Sequence, residues 1–456
     1  MNRFNLSTHS IQAAVHRGRI ERILAATLAA VDPQEAVARH MQRDGEQLLV
    51  GGRAYALERF RRILVVGAGK AGAPMAQAAV QILGERLDGG LVITKQGHAG
   101  GVEQVGPVQL AEARHPLPDE RGVQATRRLI ELVSETTPDD LVICLISGGG
   151  SALLLSPVPG VSLADLQSLT AALLACGANI NEINSLRKHL DQVKGGGLAR
   201  LAAPAQLVTL ILSDVVGDPL DVIASGPTVP DPTSFAEAYG VLERYAILEQ
   251  VPPAVRAHLE RGRRGELPDT PKQGDALFDQ VQHVVVGSNL LAAQAALAQA
   301  QAEGLNTLLL TTYLQGEARQ AGRMLAAIGR ELEASGNPLR RPACVIAGGE
   351  TTVTLAGKGG LGGRNQELAL GAVQELAGLP DVTLVALATD GGDGPTDAAG
   401  AVATGATLER AGQAGLGPAD FLARNDAYHF FEALGDLLKP GPTQTNVNDL
   451  AFLFAF

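Results

Sequence analysis

Tryptophan is absent, aromatic residues make up only 3% of the 456 residues, and Asp plus Glu outnumber Lys plus Arg by 48 to 37. A nucleic-acid binder reads phosphates through a basic field and stacks bases on aromatic rings, so that class of partner is not expected of a chain with a net charge of −11. The three cysteines, Cys144, Cys176 and Cys344, are odd in number and lack C-x-x-C spacing. Two of them lie in apolar runs, so they read as buried thiols of a reducing cytosol. No run of about 18 apolar residues occurs, and the opening MNRFNLSTHSIQAAVHRG has no continuous apolar core, so the expectation is a cytoplasmic chain without export signal or membrane span. The pattern G-x-x-x-x-G-K-[ST] is also missing, which removes a standard P-loop from consideration.

Glycine is abundant, 54 residues, and falls in short clusters behind apolar runs. With 46% apolar residues there is ample material for two or three domains at about 100–200 residues each. Between residues 9 and 60, Ile20, Ile23, Leu24, Leu28 and Val31 recur at helical spacing, which predicts amphipathic helices. Apolar runs beginning near residues 63, 91, 141, 207, 283, 306, 343 and 383 then alternate with Ala- and Leu-rich segments. Non-alternating strands separated by helical segments predict an α/β protein: two α/β/α (Rossmann-like) domains with largely parallel sheets and an interdomain cleft. The Pro-, Gly- and charge-rich stretch 241–280 is read as the connection between a domain at 1–240, which includes the leading helices, and a domain at 281–456.

Chemistry concentrates at the ends of those strands. In ILVVGAGKAGAPMAQAA, Gly67, Gly69 and Gly72 satisfy G-x-G-x-x-G between strand and helix, which suits a dinucleotide. The next strand, however, ends in Lys95, where an NAD site wants an acidic group for the ribose hydroxyls. The more general reading is an anion site in which glycines admit close approach and Lys70 adds a charge. In LVICLISGGGSALL, Ser147, Gly148, Gly149, Gly150 and Ser151 form a second candidate nest for a phosphate tail. Arg187, Lys188, His189 and Lys194 cluster on a helix where cations also complement the dipole, a half-structural reading. Asp214, past another strand end, suits Mg²⁺ or a base for an attacking hydroxyl.

In the C-terminal half, Glu350 precedes a glycine-rich loop and Arg364 opens a helix. An arginine there opposes the helix dipole, so recognition of a carboxylate or phosphoryl group is the expectation. Asp390, Asp393 and Asp397 follow a further strand and are candidates for a metal ligand, although the spacing is not that of an EF-hand. Asn446 and Asn448 near the end carry amides suited to orienting a polar substrate or organising a turn.

Taken together, GAGKAG (67–72), HPLPDERG (115–122), SGGGSALL (147–154), NSLRKHLDQVKGGGLA (184–199), SDVVGDPLDVIASGPT (213–228), GGRNQELAL (362–370), ATDGGDGPTDAAGA (388–401) and TNVNDL (445–450) closely resemble the glycerate 2-kinases whose C-terminal portion, here about 341–450, is the MOFRL domain. The resemblance spans nearly the whole chain. It implies ATP- and Mg²⁺-dependent phosphorylation of the C2 hydroxyl of D-glycerate, with Lys70, Arg364 and Asn446 in the active site and Asp214 or Asp390 as base or metal ligand. Gln444 stands where the family's terminal motif commonly has glycine. Because members have also been described as hydroxypyruvate reductases, NAD(P)H-dependent reduction is the rival expectation. Homo-oligomers are compatible with either.

Overall fold

A computed structural model describes residues 4–357 and 359–456. The chain forms two compact units, Pro33–Val286 and a second made of Met1–Asp32 with Gly287–Phe456. This division differs from the one expected at 240/281. The leading helix Arg17–Ala30 packs on helix Asn289–Ala302 and buries Ile20, Ile23, Leu24 and Leu28, the stripe seen in the sequence. Arg22 pairs with Glu303 beside it at 2.7 Å. The 241–280 stretch, read as a connection, contains helix Pro253–Arg263, which packs on helices Phe235–Arg244 and Leu163–Ala175 within Pro33–Val286. Its Val255 and Leu259 join Leu169, Leu173, Phe235 and Leu242 in one core.

Helices were expected throughout 9–60, but helix Pro33–His40 is followed by a three-stranded antiparallel sheet, Met41–Asp44, Gln47–Val50 and Arg53–Ala56. Gly45 at φ 57° and Gly51–Gly52 at 54° and 86° make the turns, a conformation that ends helices and closes hairpins.

The main sheet of Pro33–Val286 runs in the order Val281–Gly287, Gln206–Leu212, Asp140–Ser147, Arg62–Ala68, Gly89–Lys95, Val108–Ala113, Gln104–Val105. The four pairings from Gln206–Leu212 to Val108–Ala113 are parallel. Every residue of Asp140–Ser147 and Gln206–Leu212 is buried, as unbroken apolar runs covered on both faces require. From Arg62–Ala68 the chain first builds outward to one side, then returns to add Asp140–Ser147 on the other. That reversal is a topological switch point, and open α/β sheets bind ligands at the strands' carboxyl ends there.

The second sheet is ordered Asn306–Leu314, Ala343–Gly349, Asp449–Ala455, Val382–Ala388, Gly400–Thr404, Leu437–Leu438. Only its first pair is parallel; the final strand inserts antiparallel to both Ala343–Gly349 and Val382–Ala388. The α/β class therefore holds in both units, while the largely parallel sheet is a property of the first. Continuous apolarity reports burial on two faces and carries no information about direction. Among the described residues no helix is long and apolar enough to cross a membrane.

Candidate active site

At the switch point, Lys70 sits between strand Arg62–Ala68 and helix Gly72–Leu83. The amides of Gly69, Lys70 and Gly72 donate to the carbonyls of Ile93, Gly148 and Gly69 at 3.0, 2.9 and 3.0 Å, and that of Ala71 donates to Ser147 Oγ at 3.0 Å. The main chain of the turn is therefore committed to the fold. Methyl groups at Gly67 and Gly69 would overlap Leu145 and Ser147 on the adjacent strand, and one at Gly72 would lie 2.8 Å from Val92. This corrects the expectation of a phosphate cradle in Gly67, Gly69 and Gly72: these glycines let strands and helix approach, and what the turn presents is the Lys70 side chain. Ser147 is likewise occupied as a buried acceptor.

The next loop lies against Lys70. Gly149, at φ 83°, has room for no side chain, since a methyl would meet His115 at 2.9 Å and Lys70 Cγ at 3.4 Å. A methyl at Gly148 would overlap the Asp214 carboxylate. Burial, reinforced by the charges of Lys70, Lys95 and His98, pushes the His115 imidazole down to about 4, so it is neutral near pH 7. His98 is also lowered, first by burial, against a raising hydrogen bond from its Nδ1 to the Lys70 carbonyl (3.1 Å), with Lys95 and Lys70 adding to the lowering. A positive field thus surrounds the strand ends although the whole chain is acidic.

Gly149, Gly150, Ser151 and Asp214 open into a cavity of about 440 Å³ within this unit, which Asn184 and Arg187 also line. Ser151 Oγ meets Ser225 Oγ at 2.9 Å, and Ser225 Oγ donates to Asn184 Oδ1 at 3.3 Å. Ala224, Ser225 and Gly226 hold three successive positive φ angles of 51°, 62° and 61°. Such a run is costly for non-glycine residues, and strain of this kind concentrates at functional sites.

In the other unit, Gly349 and Ala388 both pair with Asp449, so Glu350, Asp390 and the 445–449 segment meet at one end of three adjacent central strands. Arg364 begins helix Arg364–Leu376 and is clasped there. Its Nη1 donates to Glu350 Oε1 at 2.6 Å, its Nε to Asp449 Oδ2, and its Nη2 to Asp449 Oδ1 at 3.2 Å. Burial lowers the guanidinium's pKa, but the neighbouring charges of Asp449, Glu350 and Asp393 outweigh that and hold it above the ordinary arginine value. Asp449 is pushed up to about 6 by burial, opposed by Arg364.

Asp393 is 2% exposed and caps this helix from outside it. Its Oδ1 accepts from Asn365 N at 3.1 Å and its Oδ2 from Gln366 N at 2.8 Å. Burial, together with Asp449, pushes it up to about 7 against those donors. Two N–H groups and a helix N-terminus repel a cation, so Asp393 is a cap rather than the metal ligand expected. It also resolves the dipole argument, because a carboxylate offsets the arginine at the helix start. Asp390 is exposed and accepts from Gly392 N at 3.0 Å. Asn446 is half-buried and its Oδ1 accepts from Asn448 N at 3.1 Å. Among the described residues no group of three or more His, Cys, Asp or Glu converges on a metal position.

Three residues escaped sequence reasoning. Arg187 was assigned half to the helix dipole, His115 was not given a role, and Asp449 lies inside TNVNDL without being singled out. Each lies within a motif of the family resemblance, HPLPDERG for His115, NSLRKHLDQVKGGGLA for Arg187 and TNVNDL for Asp449, but nothing local separates it from its neighbours in that motif.

Each unit is α/β and holds a cationic side chain at its strand ends, Lys70 beside a glycine loop in one and Arg364 within a carboxylate clasp in the other, the equipment of an α/β enzyme that acts on small anions. The comparisons narrow that class. Residues 19–260 match the family model described as "Domain of unknown function (DUF4147)", and residues 343–449 match the MOFRL family. A D-glycerate 2-kinase of Thermotoga maritima is 45% identical over 389 residues, covering 85% of this chain and 89% of that protein. A putative hydroxypyruvate reductase of Agrobacterium vitis is 43% identical over 434 residues, 94% of this chain and 92% of that one. The crystal structure of a glycerate kinase from Thermotoga maritima superposes with a TM-score of 0.86 at 40% identity, covering 96% of this chain and 99% of that chain. The chain belongs to the glycerate 2-kinase family with a MOFRL C-terminal portion.

Proposed function

We propose that this enzyme transfers the γ-phosphoryl group of ATP to the C2 hydroxyl of D-glycerate, giving 2-phosphoglycerate and ADP. The observation that carries the reading is Lys70 at the switch point, its backbone pinned by Gly148 and its neighbour His115 kept neutral. Phosphoryl transfer asks a protein chiefly for positioning and charge neutralisation. The Lys70 ammonium neutralises oxygens of the migrating group. Arg364 grips the glycerate carboxylate in a planar fork, exchanging for it part of the Glu350 and Asp449 clasp. Asn446 orients the substrate hydroxyl. The bond from glycerate O2 to the γ-phosphorus forms as the bond from that phosphorus to the bridging oxygen of ADP breaks, and the hydroxyl proton passes to the exposed Asp390 and on to solvent.

A Mg²⁺ ion bound with the nucleotide would need only one or two protein carboxylates beside its waters and phosphate oxygens, so a single carboxylate beside a phosphate site would suffice to hold it. Asp214, packed against Gly148 and lining the cavity, is the residue we assign to it. The ion would supply neutralisation of phosphate charge. The free, buried Cys144, pushed up to about 12 by burial, and buried Cys344 suit a cytosolic setting.

The reductase reading draws on G-x-G-x-x-G and on the name of the Agrobacterium vitis relative. Against it stand the engaged amides of Gly69–Gly72 and Lys95 at the end of the neighbouring strand. Incubation with D-glycerate, ATP and Mg²⁺, with ADP measured by a coupled assay and the phosphorylated carbon by NMR, tests the proposal. Hydroxypyruvate-dependent NADH oxidation without ADP formation would overturn it.

A further inference from the structure

The cavity beside Gly149–Ser151 has a lining of two unlike kinds. One is polar, formed by that loop with Asn184, Arg187 and Asp214; the other is a leucine wall from helix Leu163–Ala175, including buried Leu166, Leu169 and Leu173. Large apolar side chains also stand exposed around its mouth: Leu117 at 70%, Leu174 at 64% and Ile180 at 55%. Exposed apolar groups gathered at a concave site mark a surface that a ligand covers.

The cations inside are not equivalent. Lys194 is paired with Asp191 at 3.4 Å and donates to the Leu154 carbonyl. Arg187, by contrast, has no carboxylate partner among the described residues, and burial alone pulls its pKa below the usual arginine value. A partly buried guanidinium without a counter-ion is unfavourable unless an anion joins it. A three-carbon hydroxy acid has no apolar surface to match the leucine wall and would leave most of a 440 Å³ space unfilled. A nucleotide has both halves: a flat, weakly hydrated base and ribose for the wall, and phosphates for Arg187 and the glycine loop.

We propose that this cavity seats the nucleoside of the phosphoryl donor, with Arg187 holding its phosphate chain. The inference rests on the kinase reading for the identity of the donor. It also moves nucleotide binding away from the Gly67–Gly72 turn to residues on helices Leu163–Ala175 and Ile180–His189.

The test uses two variants of the full chain. Arg187→Ala removes the cation. Ala171→Trp fills the mouth from an exposed position, so folding is unaffected and a melting curve verifies it. ADP binding is measured by titration calorimetry without glycerate, and KM values are measured for each substrate. The expected result is a loss of about tenfold or more in ADP affinity in both variants and a matching rise in KM for ATP, with KM for D-glycerate within about twofold of wild type. Unchanged ADP affinity in both would overturn the proposal, as would a rise confined to KM for D-glycerate. If the wild type binds ADP and the variants do not, yet no glycerate is phosphorylated, the kinase reading falls and the nucleotide seat stands. If the wild type phosphorylates glycerate and both variants bind ADP normally, the reverse follows.

Discussion

Asp393→Ala separates a structural carboxylate from a metal ligand. Helix Arg364–Leu376 has Gly363 at its N-cap and no side-chain cap of its own, so Asp393 supplies the acceptors for the amides of Asn365 and Gln366 and for Asn365 Nδ2 at 3.3 Å. Both partner residues are at most 2% exposed, so water cannot replace the carboxylate. Losing a cap costs about 1 kcal/mol, and each buried donor left unpaired costs about 1–3 kcal/mol. Against that stands the desolvation that pushes Asp393 up to about 7, a penalty the alanine variant escapes. The net expectation is destabilisation by about 2–3 kcal/mol. Urea unfolding measures it. Because Arg364 is the first residue of the capped helix, turnover should fall as well, while the Mg²⁺ concentration giving half-maximal activity stays put. A variant with wild-type stability and a strongly raised Mg²⁺ requirement would refute the capping argument and restore Asp393 as a ligand.

The same carboxyl has a pH signature. Its native pKa lies above the unfolded value of about 3.9, so the native state keeps a proton that the unfolded chain releases, and the stabilisation present below pH 4 is lost as pH rises through about 7. Asp393→Asn cannot ionise, and comparing its urea midpoints with wild type from pH 4 to 8 should show a shallower decline; parallel curves would deny the shift. Lys70→Met should lower turnover by orders of magnitude with little change in melting, and should raise the NMR titration midpoint of His115 above about 4 yet keep it below 6.5, because burial remains. An unmoved midpoint would mean that Lys70 does not act on His115. Gly69→Ala places a methyl over Ser147 Oγ and 2.6 Å from its carbonyl oxygen at a φ of 148°, so we expect a loss of about 2–4 kcal/mol and a turnover defect from displacement of Lys70. Tolerance of this change in a thermal melt would contradict the packing role given to Gly69. Arg364→Lys should raise KM for D-glycerate, since a point charge cannot keep the two-armed clasp; an unchanged KM would detach Arg364 from the carboxylate.

The sequence by itself determined the α/β class, five of the seven strands of the first sheet and the segments that carry Lys70, Ser151, Arg364 and Asn446, because unbroken apolar runs followed by glycine are a local signature of buried strands ending in turns; Gln104–Val105 and Val108–Ala113, short or alternating, gave no such run. Tertiary structure alone decided which of those residues have polar groups that the fold leaves unspent. Gly67, Gly69 and Gly72 look like a phosphate cradle until Gly69 N is seen to donate to Ile93 on the neighbouring strand and Gly72 N to Gly69 within the turn, and Asp393 looks like a metal ligand until a helix start is found beneath it. Arg187 looks like a dipole partner until its lack of a carboxylate partner among the described residues and its place in the cavity are known. Strand direction also stayed hidden: burial on both faces gives Asp449–Ala455 the same composition whether it runs parallel or antiparallel. A donor, an acceptor or a charge is available to a ligand only when nothing else in the fold has taken it, and that competition is fought between residues distant in the chain.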